Sequence, residues 1–138
     1  MSFSRSKSAS LIGALAVAGL LLTGCAGGQS KADACKGLES GLTDVQSDLS
    51  SSLSGAATDP KGAADKLQSV SDTFSKNVKG VTNEEVAPAA KKADEALSTL
   101  VDEFSKFAED PTGADSSAMS SAATDVQTTF TDLGKVCS

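Results

Sequence analysis

In four runs between Cys35 and Cys137 an apolar residue returns at every third or fourth position, and this constrains the chain more than anything else in it. Cys35, Leu38, Leu42, Val45, Leu49 and Leu53 form the first run. Ala63, Leu67, Val70, Phe74 and Val78 form the second. Val86, Ala90, Ala93, Leu97, Leu100, Phe104 and Phe107 form the third, and Met119, Ala122, Val126, Phe130, Leu133 and Cys137 the fourth. Steps of three and four keep one apolar stripe on one side of a helix with 3.6 residues per turn. No stretch alternates as a half-buried strand would, and runs of β-branched residues are absent.

The breaks between runs carry helix punctuation. Gly55 and Gly80 follow the first two stripes, where a glycine just past a helix can take a left-handed conformation. Asp59-Pro60 reads as an N-cap with proline at the first helical position. Thr82-Asn83-Glu84-Glu85 fits a capping box, and Asp110-Pro111-Thr112-Gly113 ends the third helix and opens the fourth. The expected helices cover 32–54, 60–79, 83–109 and 114–136. Pro88 conflicts with a Thr82 cap, because it would sit in the helix interior against the carbonyl of Glu84. Either the third helix kinks there, or Thr82 to Val86 form a separate turn. Asp59-Pro60-Lys61-Gly62-Ala63-Ala64-Asp65 is echoed in Asp110-Pro111-Thr112-Gly113-Ala114-Asp115, by hairpin duplication or by two helix starts using the same chemistry. Long helices with short connections pack antiparallel to their neighbours. The expected fold is therefore all-α, an up-down-up-down four-helix bundle with both termini at one end.

What is missing excludes most chemistry. The chain has no His, Trp or Tyr, which removes imidazole bases, His metal ligands and most aromatic stacking surfaces. Serines and threonines abound without a base to activate them, so no catalytic residue is assigned and no enzyme is expected. Paired acids at Glu84-Glu85, Asp94-Glu95, Asp102-Glu103 and Glu109-Asp110 show neither Glu-x-x-His nor EF-hand spacing. They read as a solvated face, with Asp102 and Lys106 as an i, i+4 pair, and no metal or other cofactor is expected. Phe74, Phe104, Phe107 and Phe130 all fall on stripes and read as core, with a wider apolar groove as the alternative if the bundle opens. All 18 acidic residues follow position 24 while Arg5 and Lys7 precede it, so residues 25–138 carry a net charge of −8. Such a domain is a poor partner for nucleic acid.

The first 24 residues look like a secretory leader: two cations, a 12-residue apolar run from Leu11 to Leu22, then small residues. A membrane-spanning helix needs about 20 apolar residues. Leu22-Thr23-Gly24-Cys25 resembles the lipobox of bacterial lipoproteins. The resemblance implies cleavage between Gly24 and Cys25, with Cys25 acylated as the mature N-terminus. Two or three chains on one residue would hold the protein durably on the extracytoplasmic face of the cell membrane. Ala26 to Lys31 then read as a flexible tether, completing a 25–31 segment ahead of a helical domain at 32–138.

With Cys25 acylated, Cys35 and Cys137 are the remaining cysteines, in an oxidising compartment. Both lie on apolar stripes, at the end where four antiparallel helices bring the termini together. A disulfide between them is expected; a redox pair or thiolate metal site would want Cys-x-x-Cys or a third ligand, and neither is present. The mature chain holds only 8 Leu, 8 Val, 4 Phe and 1 Met, so the bond should offset a thin core. The whole resembles the small secreted helical lipoproteins of actinobacteria, through Cys25 for the lipid and the Cys35–Cys137 pair. The resemblance implies location more than activity. Two functions remain open. One is a non-catalytic envelope interaction module with a protein partner; the other is a carrier of an apolar small ligand or lipid between the helices. An interior pocket would favour the carrier.

Overall fold

Each helix begins where the sequence supplies an acceptor for its first unpaired N–H groups. The computed structural model describes residues 28–138, so the leader and Cys25 lie outside the described residues. These form α1 (Lys31–Gly55), α2 (Pro60–Lys79), α3 (Val86–Glu109) and α4 (Ser116–Cys137). Ser30 caps α1: its Oγ accepts from the Asp33 N–H at 3.1 Å, and its hydroxyl donates to Asp33 Oδ2 at 2.7 Å. Asp59 caps α2 through Gly62 N–H at 2.9 Å, with Pro60 as the first helical residue. Asp115 caps α4, accepting from the N–H groups of Ser117 at 2.8 Å and Ala118 at 3.2 Å.

The third start differs from the capping box expected at Thr82. Asn83 is the acceptor: its Oδ1 takes the N–H groups of Glu85 and Val86, both at 3.1 Å. Residues 84 and 85 form a turn, and α3 begins at Val86. Pro88 is then the third helical residue and explains that start: Ala87 N–H bonds the Asn83 carbonyl at 2.9 Å, and the next such bond, to Glu84, is the one proline cannot make. Of the two sequence alternatives, the separate turn is the one found. The glycine expectation fails as well. Gly55 is the last residue of α1, and Gly80 sits at φ −80°, ψ −7°, in the right-handed region. The two Asp-Pro segments also diverge. Asp59 caps a helix directly, whereas Asp110 closes a turn on Thr112 and Gly113 and leaves capping to Asp115.

Lys31, placed in the tether by the sequence, is the first residue of α1. Just ahead of it, Gln29 is held by the α2–α3 connection: its Oε1 accepts from Thr82 N–H at 2.9 Å, and its carbonyl accepts from Asn83 Nδ2 at 3.0 Å.

The helices pack in chain order, α1 on α2, α2 on α3 and α3 on α4. α1 and α4 scarcely touch. They are joined at one end by the Cys35–Cys137 disulfide, with Cα atoms 5.5 Å apart. The core follows this layout. A larger cluster at the disulfide end centres on Leu38, Phe74, Val86, Ala90, Leu97 and Leu133, all at most 1% exposed. A smaller cluster at the far end holds Ala63, Leu67, Val101 and Phe104. Off the expected stripes, Ala96, Val101 and Ala108 are also buried on α3, because that helix packs against two neighbours. A polar seam joins α2 and α3, where the Ser75 hydroxyl donates to Asp94 Oδ2 at 2.9 Å.

Two predictions test this description. The disulfide closes a loop of 102 residues, for which chain entropy gives up to about 4.7 kcal/mol and native disulfides in small domains typically give about 2–5 kcal/mol. Reduction, or Cys35→Ser with Cys137→Ser, should lower Tm by on the order of 10 °C or more; calorimetry showing a change of only a few degrees would contradict it. The second concerns the α4 cap. The Ser117 hydroxyl and the N–H groups of Ala118 and Ser117 hold the Asp115 carboxyl below its ordinary range. Its folded pKa is depressed, so its contribution is complete above the ordinary aspartate value of about 3.9 and is lost as pH falls through the lowered folded value. Asp115→Asn should therefore cost most in Tm near neutrality, and the gap from wild type should close in melts taken below that range.

Candidate ligand-binding groove

The residues that set this site apart are apolar stripe positions that stay half-exposed. Leu42 and Leu49 on α1, Leu100 on α3, and Met119 and Phe130 on α4 are only partly buried. In a closed bundle α1 and α4 would cover one another along these positions. Here that seam is unpacked beyond the disulfide, and the stripes face an open groove.

The groove has a volume of about 650 Å³. One wall is Leu42, Val45, Gln46 and Leu49 of α1. The other is Met119, Ala123, Val126, Gln127, Phe130 and Thr131 of α4, and Leu67, Leu100 and Phe104 form the floor. Its size falls within the roughly 300–1,000 Å³ of small-molecule sites, which are mostly apolar with a few placed polar groups. At 1.5 Å per helical residue, the α4 wall from Met119 to Thr131 runs about 18 Å. Phe130 stacks on Phe74 at 5.2 Å between centroids, so the disulfide end of the groove is braced by the larger core cluster.

No lining residue is titratable. The polar lining consists of Gln46, Gln127 and Thr131. The Thr131 hydroxyl donates to the Gln127 carbonyl at 2.7 Å, while neither glutamine side-chain amide has a hydrogen-bond partner among the described residues.

The other sequence candidates fall elsewhere. Cys35 and Cys137 are brought together as the disulfide, while Gly24 and Cys25 lie outside the described residues. The paired acids stay apart from the groove. Lys106 bonds Glu103 at 2.6 Å, three residues away, in place of the expected Asp102 pairing, and that contact raises the Lys106 pKa. Among the described residues, no three His, Cys, Asp or Glu side chains gather as a metal site needs. Phe74 and Phe104 are buried, and Phe107 packs on Phe104 at 6.1 Å, but Phe130 turns its exposed part to the groove. Gln46, Ala123, Gln127 and Thr131 were not singled out from sequence. Their signal was position: each borders an apolar stripe on α1 or α4. No described helix is long and apolar enough to cross a membrane. The chain matches no protein-family model, no curated protein and no solved structure.

Proposed function

We propose that this protein is a lipid-anchored, non-catalytic carrier that takes one acyl chain or a similar apolar ligand between α1 and α4. Supporting the reading is one observation: an apolar groove of about 650 Å³ where the fourth seam of the bundle stays unpacked. Of the two functions open from sequence, the interaction module and the carrier, the groove favours the carrier. One leaflet of a bilayer is about 15 Å of hydrocarbon, which is the length of one extended acyl chain and matches the groove. The N-terminal side of α1 lies at the disulfide end, so an acylated Cys25 would hold that end to the membrane and leave the groove's sides free.

Two measurements test the proposal. Ala123→Trp places an indole on the groove wall at an exposed position. It should weaken binding of the apolar dye N-phenyl-1-naphthylamine at least ten-fold while Tm stays within a few degrees of wild type. Equal dye binding by the variant would sink the carrier. Separately, intact mass after detergent partitioning should show loss of residues 1–24 and acyl mass on Cys25; an unmodified Cys25 in the aqueous phase would remove the anchor.

A further inference from the structure

We infer that the carrier's ligand is an amphiphile with an uncharged, hydrogen-bonding head, held by Gln46 and Gln127, and that carboxylate and phosphate heads are rejected. The inference rests on the carrier reading and names its ligand class.

The two glutamines stand on opposite walls of one groove, and each offers two N–H donors and one carbonyl acceptor. Among the described residues neither amide is used by the protein itself. A hydroxyl or ester head needs both kinds of partner and finds both there. An anionic head needs a cation or several convergent donors to offset its desolvation. None is at hand. No charged side chain lines the groove, and Asp44 and Asp48 of α1 border cavities on the α1–α2 side. An incoming anion therefore finds no counter-charge in the lining to offset its desolvation.

The nearby cations are engaged or lie elsewhere. Lys106 is bound to Glu103 at 2.6 Å, and Lys135, one turn beyond Thr131, is bound to Asp132 at 2.8 Å. Lys66 lines cavities with Ser51 and Ser52 on the α1–α2 side. Sites for fatty acids or lipid phosphates place an Arg or Lys fork at the head. Here two neutral amides occupy that place.

The test is displacement of N-phenyl-1-naphthylamine from the full chain bearing Cys25→Ser, which takes no acyl group, at pH 8. Monomyristoylglycerol and myristate are compared below their micelle concentrations, so that head charge varies at constant chain length. Monomyristoylglycerol should displace the dye at a concentration at least ten-fold lower. Gln127→Lys, at an exposed position, should strengthen myristate binding at least five-fold and leave monomyristoylglycerol within about three-fold. Myristate binding as tightly as the glyceride, or indifferent to Gln127→Lys, overturns the inference and leaves the carrier standing. Failure of both lipids and of the dye overturns the carrier reading together with the inference.

Discussion

The Cys35–Cys137 bond does what packing does elsewhere in the molecule. α1, α2, α3 and α4 each cover their neighbour in sequence, and only between the first and last is there little to hold two helices side by side. One covalent link fixes their ends with Cα atoms 5.5 Å apart. Beyond the link their separation is set by what lies between them. A bundle with four packed seams would have no room for a ligand. One with three seams and no clasp would let α1 and α4 fray apart. The clasp allows a groove to exist in a chain with so few large apolar residues.

The distribution of those residues decides which part opens. Phe74, Leu38, Leu97 and Leu133 gather at the disulfide end, and there Phe130 has a ring to stack on. Toward the hairpins the core shrinks to Ala63, Leu67, Val101 and Phe104, with small residues such as Ala122 and Ala123 on α4. Small side chains remove little area from water, so drawing α1 onto α4 there would gain little. Leu42, Leu49, Met119 and Phe130 stay half-covered for want of a facing surface. Exposed apolar surface of this kind in an isolated domain usually marks a place where something binds.

Much of the fold was legible because its signals are local. Apolar spacing gave four helices, and Asp59-Pro60 gave the start of α2 to the residue. The cysteine positions gave the closure. Local signals failed where a distant contact chose between equals. Thr82 and Asn83 are both competent caps, but Gln29 takes the Thr82 N–H, and Asn83 turns its oxygen to Glu85 and Val86. Ser52 is 1% exposed, though nothing about its place beside a stripe distinguishes it from the exposed Ser51. The groove was illegible for the same reason. Leu38 and Leu42 are the same residue one turn apart on the same stripe. One is fully buried and the other lines an open wall, since periodicity says which face is apolar and not whether another helix covers it.

The two helices that flank the groove also share a backbone feature. On α4, the hydroxyls of Thr124, Thr128, Thr129 and Thr131 donate back to the carbonyl four residues earlier. On α1, those of Thr43, Ser51 and Ser54 do the same. α2 and α3 have one such bond each, from Thr73 and Thr99. Such back-bonds weaken a helix slightly and let it bend. The inner pair, α2 and α3, carries fewer of them and is joined by packing and by the Ser75–Asp94 bond. The outer pair carries more of them, and α1 and α4 are linked to each other only at the disulfide end. On the carrier reading proposed above, bending of these two walls would admit a chain while the core cluster at the disulfide end stays intact. The same serine and threonine content that reads in the sequence as featureless polar composition therefore has a structural consequence, concentrated on the two helices where the seam is open.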